Sequence, residues 1–156
     1  MEIERKYLLS ALPSREILGP SVPIRQGYID AGDPEIRVRQ KGSEFFLTIK
    51  SGAGVRRQEC EVRIPAATFE RLWPLTEGAR VEKTRYTVPH GDVRWEIDEF
   101  RDALVGLYLA EVELASESEA VTPPAFLSIA RDVTEDPRYK NKSLATRGSP
   151  RGWPTA

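Results

Sequence analysis

The sequence contains few of the residues on which several common catalytic and structural devices depend. It has one cysteine, Cys60, which excludes an internal disulfide, and one histidine, His90, which argues against a zinc site or a His-based triad. It has no Gly-x-x-x-x-Gly-Lys-Ser/Thr segment and therefore no P-loop nucleotide site. No stretch approaches the roughly 20 apolar residues that a membrane-spanning helix needs. Since Cys60 lies on the apolar side of a predicted strand, we expect it in the core.

The chain also lacks an excess of charge of either sign. Its 23 basic and 24 acidic residues give a net charge of −1, so no overall field would draw the protein to nucleic acid or to an anionic membrane. With 156 residues, 40% of them hydrophobic, we expect a single domain over residues 1–146 and a flexible tail over 147–156. A charged start without an apolar signal segment predicts a cytoplasmic protein. The sequence does not specify the oligomeric state, and a homodimer is among the states it allows.

The chain is a succession of short alternating segments separated by turn signals, which predicts a mainly β fold. Eight strands are predicted, at residues 1–9, 24–30, 35–41, 44–51, 56–64, 80–88, 93–100 and 106–115. Short connections such as Gly42-Ser43 predict antiparallel pairing. Helical patterns are few, at residues 14–19, 66–75, 124–131 and 137–146.

Charged residues alternate with apolar ones along most of these strands. In the first strand, Glu2, Glu4 and Lys6 point to one side, and Ile3 and Tyr7 point to the other. A sheet of eight strands tends to curl and can close. We therefore expect a closed eight-stranded antiparallel β-barrel with a charged lumen and a few short helices packed outside it. Alternation alone also permits the inverse, with an apolar interior and the charges in water.

The charged residues form an ordered set of motifs that covers nearly the whole chain. The set begins with Glu-x-Glu-x-Lys at Glu2, Glu4 and Lys6. It continues with Gln26-Gly27-Tyr28, Arg37-x-Arg39, Thr48-x-Lys50, Glu59-x-Glu61, Lys83-x-Arg85, Asp98, Glu111-x-Glu113 and Tyr139-x-Asn141-x-x-Leu144-Ala145. With this set the chain resembles small bacterial CYTH-domain proteins of the triphosphate tunnel metalloenzyme superfamily. The resemblance implies a closed tunnel of eight antiparallel strands, in which a triphosphate group is cleaved or rearranged with the help of a metal ion.

The chemistry of a triphosphate explains why such a tunnel would carry both signs of charge. A triphosphate carries about four to five negative charges at neutral pH, so taking it out of water requires fixed cations and divalent metal. Five basic side chains are predicted to bind the substrate: Arg37, Arg39, Lys50, Lys83 and Arg85. Four glutamates are predicted to share Mg²⁺ or Mn²⁺ with the phosphates: Glu2, Glu4, Glu111 and Glu113. A second metal ion, or the attacking water, is assigned to Glu59, Glu61 and Asp98.

Lys6, Tyr28 and Glu61 are the predicted catalytic residues. In the small bacterial proteins that this chain resembles, a lysine at the Lys6 position and a tyrosine at the Tyr28 position accompany hydrolysis of inorganic tripolyphosphate. Lys6 would stabilise a phosphate oxygen, and Tyr28 would position a lysine or a water molecule by a hydrogen bond. Glu61 would orient the attacking water. A half-buried strand aromatic with a satisfied hydroxyl group is the alternative interpretation of Tyr28.

The predicted function is metal-dependent hydrolysis of inorganic tripolyphosphate to pyrophosphate and phosphate. The resemblance also includes thiamine triphosphatases and class IV adenylate cyclases, which need a lip that recognises the thiazolium or the base. No aromatic cluster in the sequence stands out for that task. Two alternatives of other classes stay open: a non-catalytic module that binds polyphosphate or triphosphorylated ligands, and a structural barrel with salt-bridged strands.

Overall fold

The computed structural model describes residues 3–52, 58–116 and 118–150, and the predicted metal ligand Glu2 lies outside these ranges. The described part of the chain forms one antiparallel sheet, in the strand order β5-β4-β3-β2-β6-β7-β8-β1-β9. Its strands are β1 (Ile3–Ala11), β2 (Ser21–Asp30), β3 (Glu35–Lys41), β4 (Glu44–Ser51), β5 (Gln58–Arg63), β6 (Arg80–His90), β7 (Val93–Phe100), β8 (Tyr108–Leu114) and β9 (Ser128–Asp132). The prediction of a mainly β, antiparallel fold is confirmed.

The helices are short and occupy the connections between strands. The α-helices in the described residues are α1 (Arg15–Leu18), α2 (Ala66–Leu72) and α3 (Asn141–Arg147). Single 3-10 turns occur at Trp73–Thr76, Asp102–Leu104 and Pro137–Tyr139. Within the described ranges, no helix has the length and apolar character needed to cross a membrane.

The helix predicted over residues 124–131 is wrong, because the chain forms strand β9 at Ser128–Asp132. This strand pairs with the edge of β1 that faces away from β8, and Leu8 lies opposite Arg131. Pairing satisfies the backbone hydrogen-bonding groups of β1 along that edge. A long-range ladder of this kind outweighs the weak local helix preference of a short segment. The described sheet therefore has nine strands where eight were expected.

The apolar residues of the alternating strands pack on the outer face of the sheet. Tyr7 and Trp95 are buried there, with ring centroids 5.8 Å apart. The surrounding cluster contains Leu9, Leu18, Val88, Ile97, Ala110, Val112, Leu114 and Leu127. Leu18 of α1 and Leu127, just before β9, cover this face and exclude water from it. The outer face therefore carries a large part of the apolar core, and the charged side chains of the same strands point inward.

The inner face is not charged along its whole length. Leu8, Val81, Phe100 and Leu109 have the same strand parity as the charged residues, but they lie toward one end of the strands. They pack into a second buried cluster with Leu104, Leu107, Val133, Tyr139 and Leu144. Tyr139 and Leu144 come from the last 3-10 turn and from α3. The C-terminal segment thus closes one end of the charged interior with an apolar layer.

A glycine in β2 permits close packing of the 3-10 turn that follows α2. A Cβ atom at Gly27 would lie 2.5 Å from the Thr76 Cβ atom. Real Cβ atoms do not approach each other so closely. The Thr76 Cβ atom is bonded directly to the backbone, so it could move away only if the turn itself moved. Glycine at this position therefore fixes how near the Trp73–Thr76 turn can approach the outer face of β2.

The prediction that Cys60 is a core residue is wrong. Cys60 is exposed, as are all six residues of β5. Its apolar neighbours on the same face, Ile49 and Val62, are also exposed, at 39% and 47%. The physical reason is that β5 lies at the end of the described strand order, so its apolar side chains gain little cover from the rest of the fold.

Candidate active site

Charged side chains from separate strands line a single cavity of about 470 Å³. Its described lining comprises Glu4, Lys6, Arg37, Arg39, Lys41, Lys50, Glu59, Glu61, Arg85, Glu96, Glu111, Val112, Glu113 and Asn141. Because β5 and β1 lie far apart in the strand order and both contribute, the sheet must curl around the cavity. The charges point inward, as the closed-barrel interpretation expected, and the inverse arrangement does not occur.

The wall formed by β1 and β8 pairs the cavity lysine with a glutamate. Lys6 Nζ lies 3.4 Å from Glu111 Oε1 and donates a hydrogen bond of 3.1 Å to the Tyr139 carbonyl oxygen. Burial would raise the pKa of Glu111, but the charges of Lys6 and Lys83 outweigh it and hold the pKa below its usual range. Glu111 is therefore ionised at neutral pH, and Lys6 is fixed between it and the C-terminal segment.

Two glutamates face each other on the same wall. Glu4 of β1 lies directly opposite Glu113 of β8 in the antiparallel ladder, two pairs away from Lys6 and Glu111. Like charges at directly opposed positions destabilise a sheet unless a cation lies near them. Their carboxylate oxygens are hard donors of the type that Mg²⁺ and Mn²⁺ accept. The pair therefore fits a divalent ion shared with a bound anion. Glu2, predicted to join them, lies outside the described residues.

A buried ion network lies on the inner face of β6 and β7, between the cavity and the apolar layer. Asp98 Oδ2 is 2.8 Å from Lys83 Nζ, and the Asp98 carboxylate also accepts two hydrogen bonds from Arg85, of 2.8 Å and 2.9 Å. Burial would raise the pKa of Asp98, but Lys83 and Arg85 outweigh it and lower the pKa to about 2. Arg85 extends from this network to Glu96 Oε2, 3.1 Å away, and so reaches the cavity.

Lys83 and Asp98, predicted to bind substrate and to hold a second metal or water, thus lie on the inner face but deeper than the cavity lining. Their side chains are only 1% and 2% exposed, and neither is among the described lining residues. Burial lowers the pKa of Lys83, while the charge of Asp98 opposes that effect. Asp98 holds Arg85 in a fixed orientation, and Lys83 in turn holds Asp98.

The third wall, from β3 to β5, carries the other predicted anion-binding side chains. Arg37 and Arg39 both line the cavity, and the Nε atom of each is buried without a hydrogen-bond partner among the described atoms. Burial, reinforced by the nearby charge of Arg37, lowers the pKa of Arg39. An anion bound in the cavity would accept hydrogen bonds from these Nε atoms. It would also compensate the positive charges of the two arginines.

The acidic residues of β5 lie along the same wall. Lys50 Nζ is 4.0 Å from Glu59 Oε1, and Thr48 Oγ1 donates a hydrogen bond of 3.2 Å to Glu61 Oε2. Glu61 is therefore oriented by Thr48, its partner across the ladder. The predicted pair Glu59 and Glu61 is brought to the cavity together with Lys50.

Tyr28 is buried on the inner face of β2, opposite Arg37, and it is not among the described lining residues. Burial raises the pKa of Tyr28, with the positive charge of Arg37 opposing the shift. The hydroxyl group is therefore protonated at neutral pH and can donate a hydrogen bond. The contacts described for Lys6 are with Glu111 and Tyr139. A catalytic pairing of Lys6 with Tyr28 stays a prediction.

Sequence reasoning missed three polar residues of the described cavity lining, besides the apolar Val112. Lys41 and Glu96 continue the alternation of Arg39 and Asp98 on their strands, so the strand period could have identified them. Asn141, the first residue of α3, lines the cavity and accepts a 3.2 Å hydrogen bond from Lys83 Nζ. Only the C-terminal motif pointed to it, since no strand pattern extends to a helix.

The arrangement defines a class of protein that binds a small, highly charged anion inside a curled antiparallel sheet. The CYTH domain model matches residues 1–149, and the chain belongs to this family.

Named relatives cover nearly the whole chain. It is 48% identical over 151 residues to the inorganic triphosphatase of Nitrosomonas europaea, an alignment that covers 92% of this chain and 96% of that protein. It is 38% identical over 146 residues to the inorganic triphosphatase of Acetivibrio thermocellus, covering 92% of each chain. The crystal structure of the inorganic triphosphatase NE1496 superposes with a TM-score of 0.76 at 44% identity, covering 96% of this chain and 97% of that one.

Proposed function

We propose that the protein is a metal-dependent triphosphatase that hydrolyses inorganic tripolyphosphate to pyrophosphate and phosphate. The observation that carries the proposal is the composition of the cavity. Among its described lining residues, six are basic, six are acidic and none is aromatic. Such a lining suits a chain of phosphates and offers no stacking surface for a base or a thiazolium ring. The two inorganic triphosphatases that cover this chain support the same substrate.

Four basic residues of the cavity would bind the substrate directly: Arg37, Arg39, Lys50 and Arg85. The arginine forks match the geometry of neighbouring phosphate oxygens, and Lys50 supplies a point charge. Lys83 would act indirectly: it pairs with Asp98, and Asp98 accepts the two hydrogen bonds that orient Arg85. The acidic residues keep these cations compensated in the low-dielectric interior before the substrate binds.

Triphosphatases of this family are metal-dependent, and we propose Mg²⁺ or Mn²⁺ as the ion. In the described residues no three His, Cys, Asp or Glu side chains are grouped so as to hold a metal by themselves. That fits an ion such as Mg²⁺, which is bound by one or two carboxylates together with substrate phosphates and water. Glu4, Glu111 and Glu113 are the proposed ligands among the described residues, and Glu2 stays a ligand predicted from the sequence. The bound ion would neutralise phosphate charge and fix the geometry of the displacement.

Hydrolysis requires a water molecule to attack a terminal phosphorus atom while the bridging P–O bond to pyrophosphate breaks. Glu61, oriented by Thr48, and Glu59 are placed to orient this water and to accept its proton. Lys6 would stabilise the charge that develops on a phosphate oxygen. Tyr28, buried on β2 opposite Arg37 and protonated at neutral pH, would position a lysine or the water molecule by donating a hydrogen bond.

The proposal is tested by measuring phosphate release from tripolyphosphate, ATP and thiamine triphosphate side by side, with Mg²⁺ and with Mn²⁺. We expect turnover of tripolyphosphate to exceed that of the other two substrates. Preference for ATP or thiamine triphosphate would contradict the substrate assignment. Tight binding by calorimetry without phosphate release would instead identify a binding module. The cytoplasmic location, the domain limits and the oligomeric state stay predictions from the sequence.

A further inference from the structure

We infer that Asn141 is a substrate-binding residue, whose side-chain amide donates a hydrogen bond to a phosphate oxygen in the cavity. The inference rests on the proposed function and adds to it a neutral donor contributed by the C-terminal helix. It follows from three observations: the position of Asn141, the identity of its partner and the composition of its surroundings.

Asn141 lies between a buried cation and the cavity. It lines the cavity together with Lys6, Arg85 and Glu111. On the buried side of Asn141, the Lys83 Nζ atom lies 3.2 Å from the Asn141 Oδ1 atom. The Lys83 side chain is 1% exposed and is held by Asp98.

This partner fixes the orientation of the Asn141 amide. A lysine ammonium group can donate hydrogen bonds and cannot accept them, so the atom that faces Lys83 must be the oxygen of the amide. The NH₂ group on the opposite side of the planar amide is thereby directed away from Lys83. Because Asn141 also forms part of the cavity lining, we assign this NH₂ group to the space that the substrate would occupy.

The surroundings favour a phosphate oxygen as the acceptor for this group. A phosphate is acceptor-only when it is fully ionised, and hydrogen bonds to charged groups are the stronger class. An uncharged donor also adds a contact without changing the balance of six basic and six acidic residues in the lining. Asn141 would therefore contribute a hydrogen bond that selects for phosphate oxygens, and it would not act as a further counter-ion.

A role in binding the substrate and a role in merely positioning Lys83 can be separated by two substitutions. Asn141→Asp keeps an oxygen for Lys83 but replaces the donor with an acceptor that repels phosphate. Asn141→Ala removes both interactions. Ser143→Ala, two residues further along α3, is the matched control, because Ser143 is not among the described lining residues.

The experiment measures binding of tripolyphosphate by calorimetry, with Mg²⁺ and with a chelator, together with steady-state kinetics and the melting temperature. We expect Asn141→Asp to raise the Kd and the KM at least about tenfold, and Asn141→Ala to raise them by a smaller factor. The melting temperatures of both variants and the constants of Ser143→Ala should stay near those of the wild type. The chelator arm excludes metal capture by the new carboxylate as a cause.

Two results would overturn the inference while leaving the proposed function intact. If Asn141→Asp binds like the wild type and only Asn141→Ala is impaired, Asn141 acts through Lys83 alone. If both variants bind like the wild type, it has no role in the site. A wild-type protein that neither binds nor hydrolyses tripolyphosphate would overturn the proposed function, and the inference with it.

Discussion

Asp98 Oδ2 lies 2.8 Å from Lys83 Nζ in a pair of side chains that are almost completely buried. The same carboxylate receives two hydrogen bonds from Arg85, so one acid compensates two cations. Removing a partner from such a network leaves an uncompensated buried charge. The network joins the buried pair Lys83 and Asp98 to the cavity lining, because Arg85 also pairs with Glu96.

We predict that Asp98→Asn lowers the free energy of unfolding by about 3–5 kcal/mol, because Lys83 and Arg85 stay buried and lose the carboxylate that they share. Urea unfolding followed by tryptophan fluorescence, to which the buried Trp95 contributes, measures the change. The control is Glu44→Gln, which removes an exposed ion pair with Arg63 at 2.8 Å and should cost less than about 1 kcal/mol. Equal effects of the two substitutions would contradict the structural role of the network.

The same residue predicts a dependence of stability on pH. The ordinary pKa of the Asp98 carboxyl group is 3.8, and its pKa in the folded protein is about 2. Because the folded value is the lower one, the contribution is complete above about pH 4 to 5 and is lost as the pH falls toward 2. The difference corresponds to about 2 kcal/mol. Between pH 5 and 2, the stability of the wild type should fall more steeply than that of Asp98→Asn, whereas parallel curves would refute the assignment.

Two arginines on neighbouring strands provide a test of which face of the sheet binds the substrate. Arg39 points into the cavity, whereas Arg25 points outward, where it lies over the rings of Phe69 and Trp73 and pairs with Glu70. We expect Arg39→Gln to raise the KM for tripolyphosphate at least about tenfold, because it removes a half-buried charge that would bind the anion. Arg25→Gln should leave the KM unchanged and lower stability by about 1 kcal/mol. Similar kinetic effects of the two substitutions would contradict the assignment of the inner face.

Gly27→Ala tests the close packing of β2 against the turn at Trp73–Thr76. The new Cβ atom would lie 2.5 Å from the Thr76 Cβ atom, so the turn must shift outward. We expect a loss of about 1–3 kcal/mol in unfolding free energy, as for other overpacked sites. Thr76→Gly in the same chain should recover part of the loss caused by Gly27→Ala. An unchanged stability of the single variant would show that the turn is free to move.

Strand alternation predicted the parts of the structure that obey a two-residue period. It placed Lys6 and Glu111 on the charged face and Tyr7 on the opposite, apolar face, because in these strands side-chain direction follows directly from position, but it left open which face was inside. It failed for the segment that forms β9, where pairing with β1 determined the structure, and for Cys60, where an exposed edge of the sheet removed the expected cover.

The alternation pattern also could not predict how deeply each inward-pointing side chain is buried. Lys83 and Arg85 point to the same inner face, yet Lys83 is completely buried next to the apolar layer and Arg85 lines the cavity. The difference depends on the curvature of the sheet and on where α3 packs, which are long-range features. For the same reason, no strand period could identify Asn141, although it lies beside the predicted cations.

The most direct test of the account is phosphate release from tripolyphosphate by the wild type, Glu4→Gln and Lys6→Ala, each supplied with Mg²⁺ or Mn²⁺ and each checked for an unchanged circular dichroism spectrum. The account predicts that the wild type releases one phosphate per tripolyphosphate cleaved and that both folded variants lose turnover. Wild-type rates in either variant would contradict the claim that this charged cavity is the catalytic site.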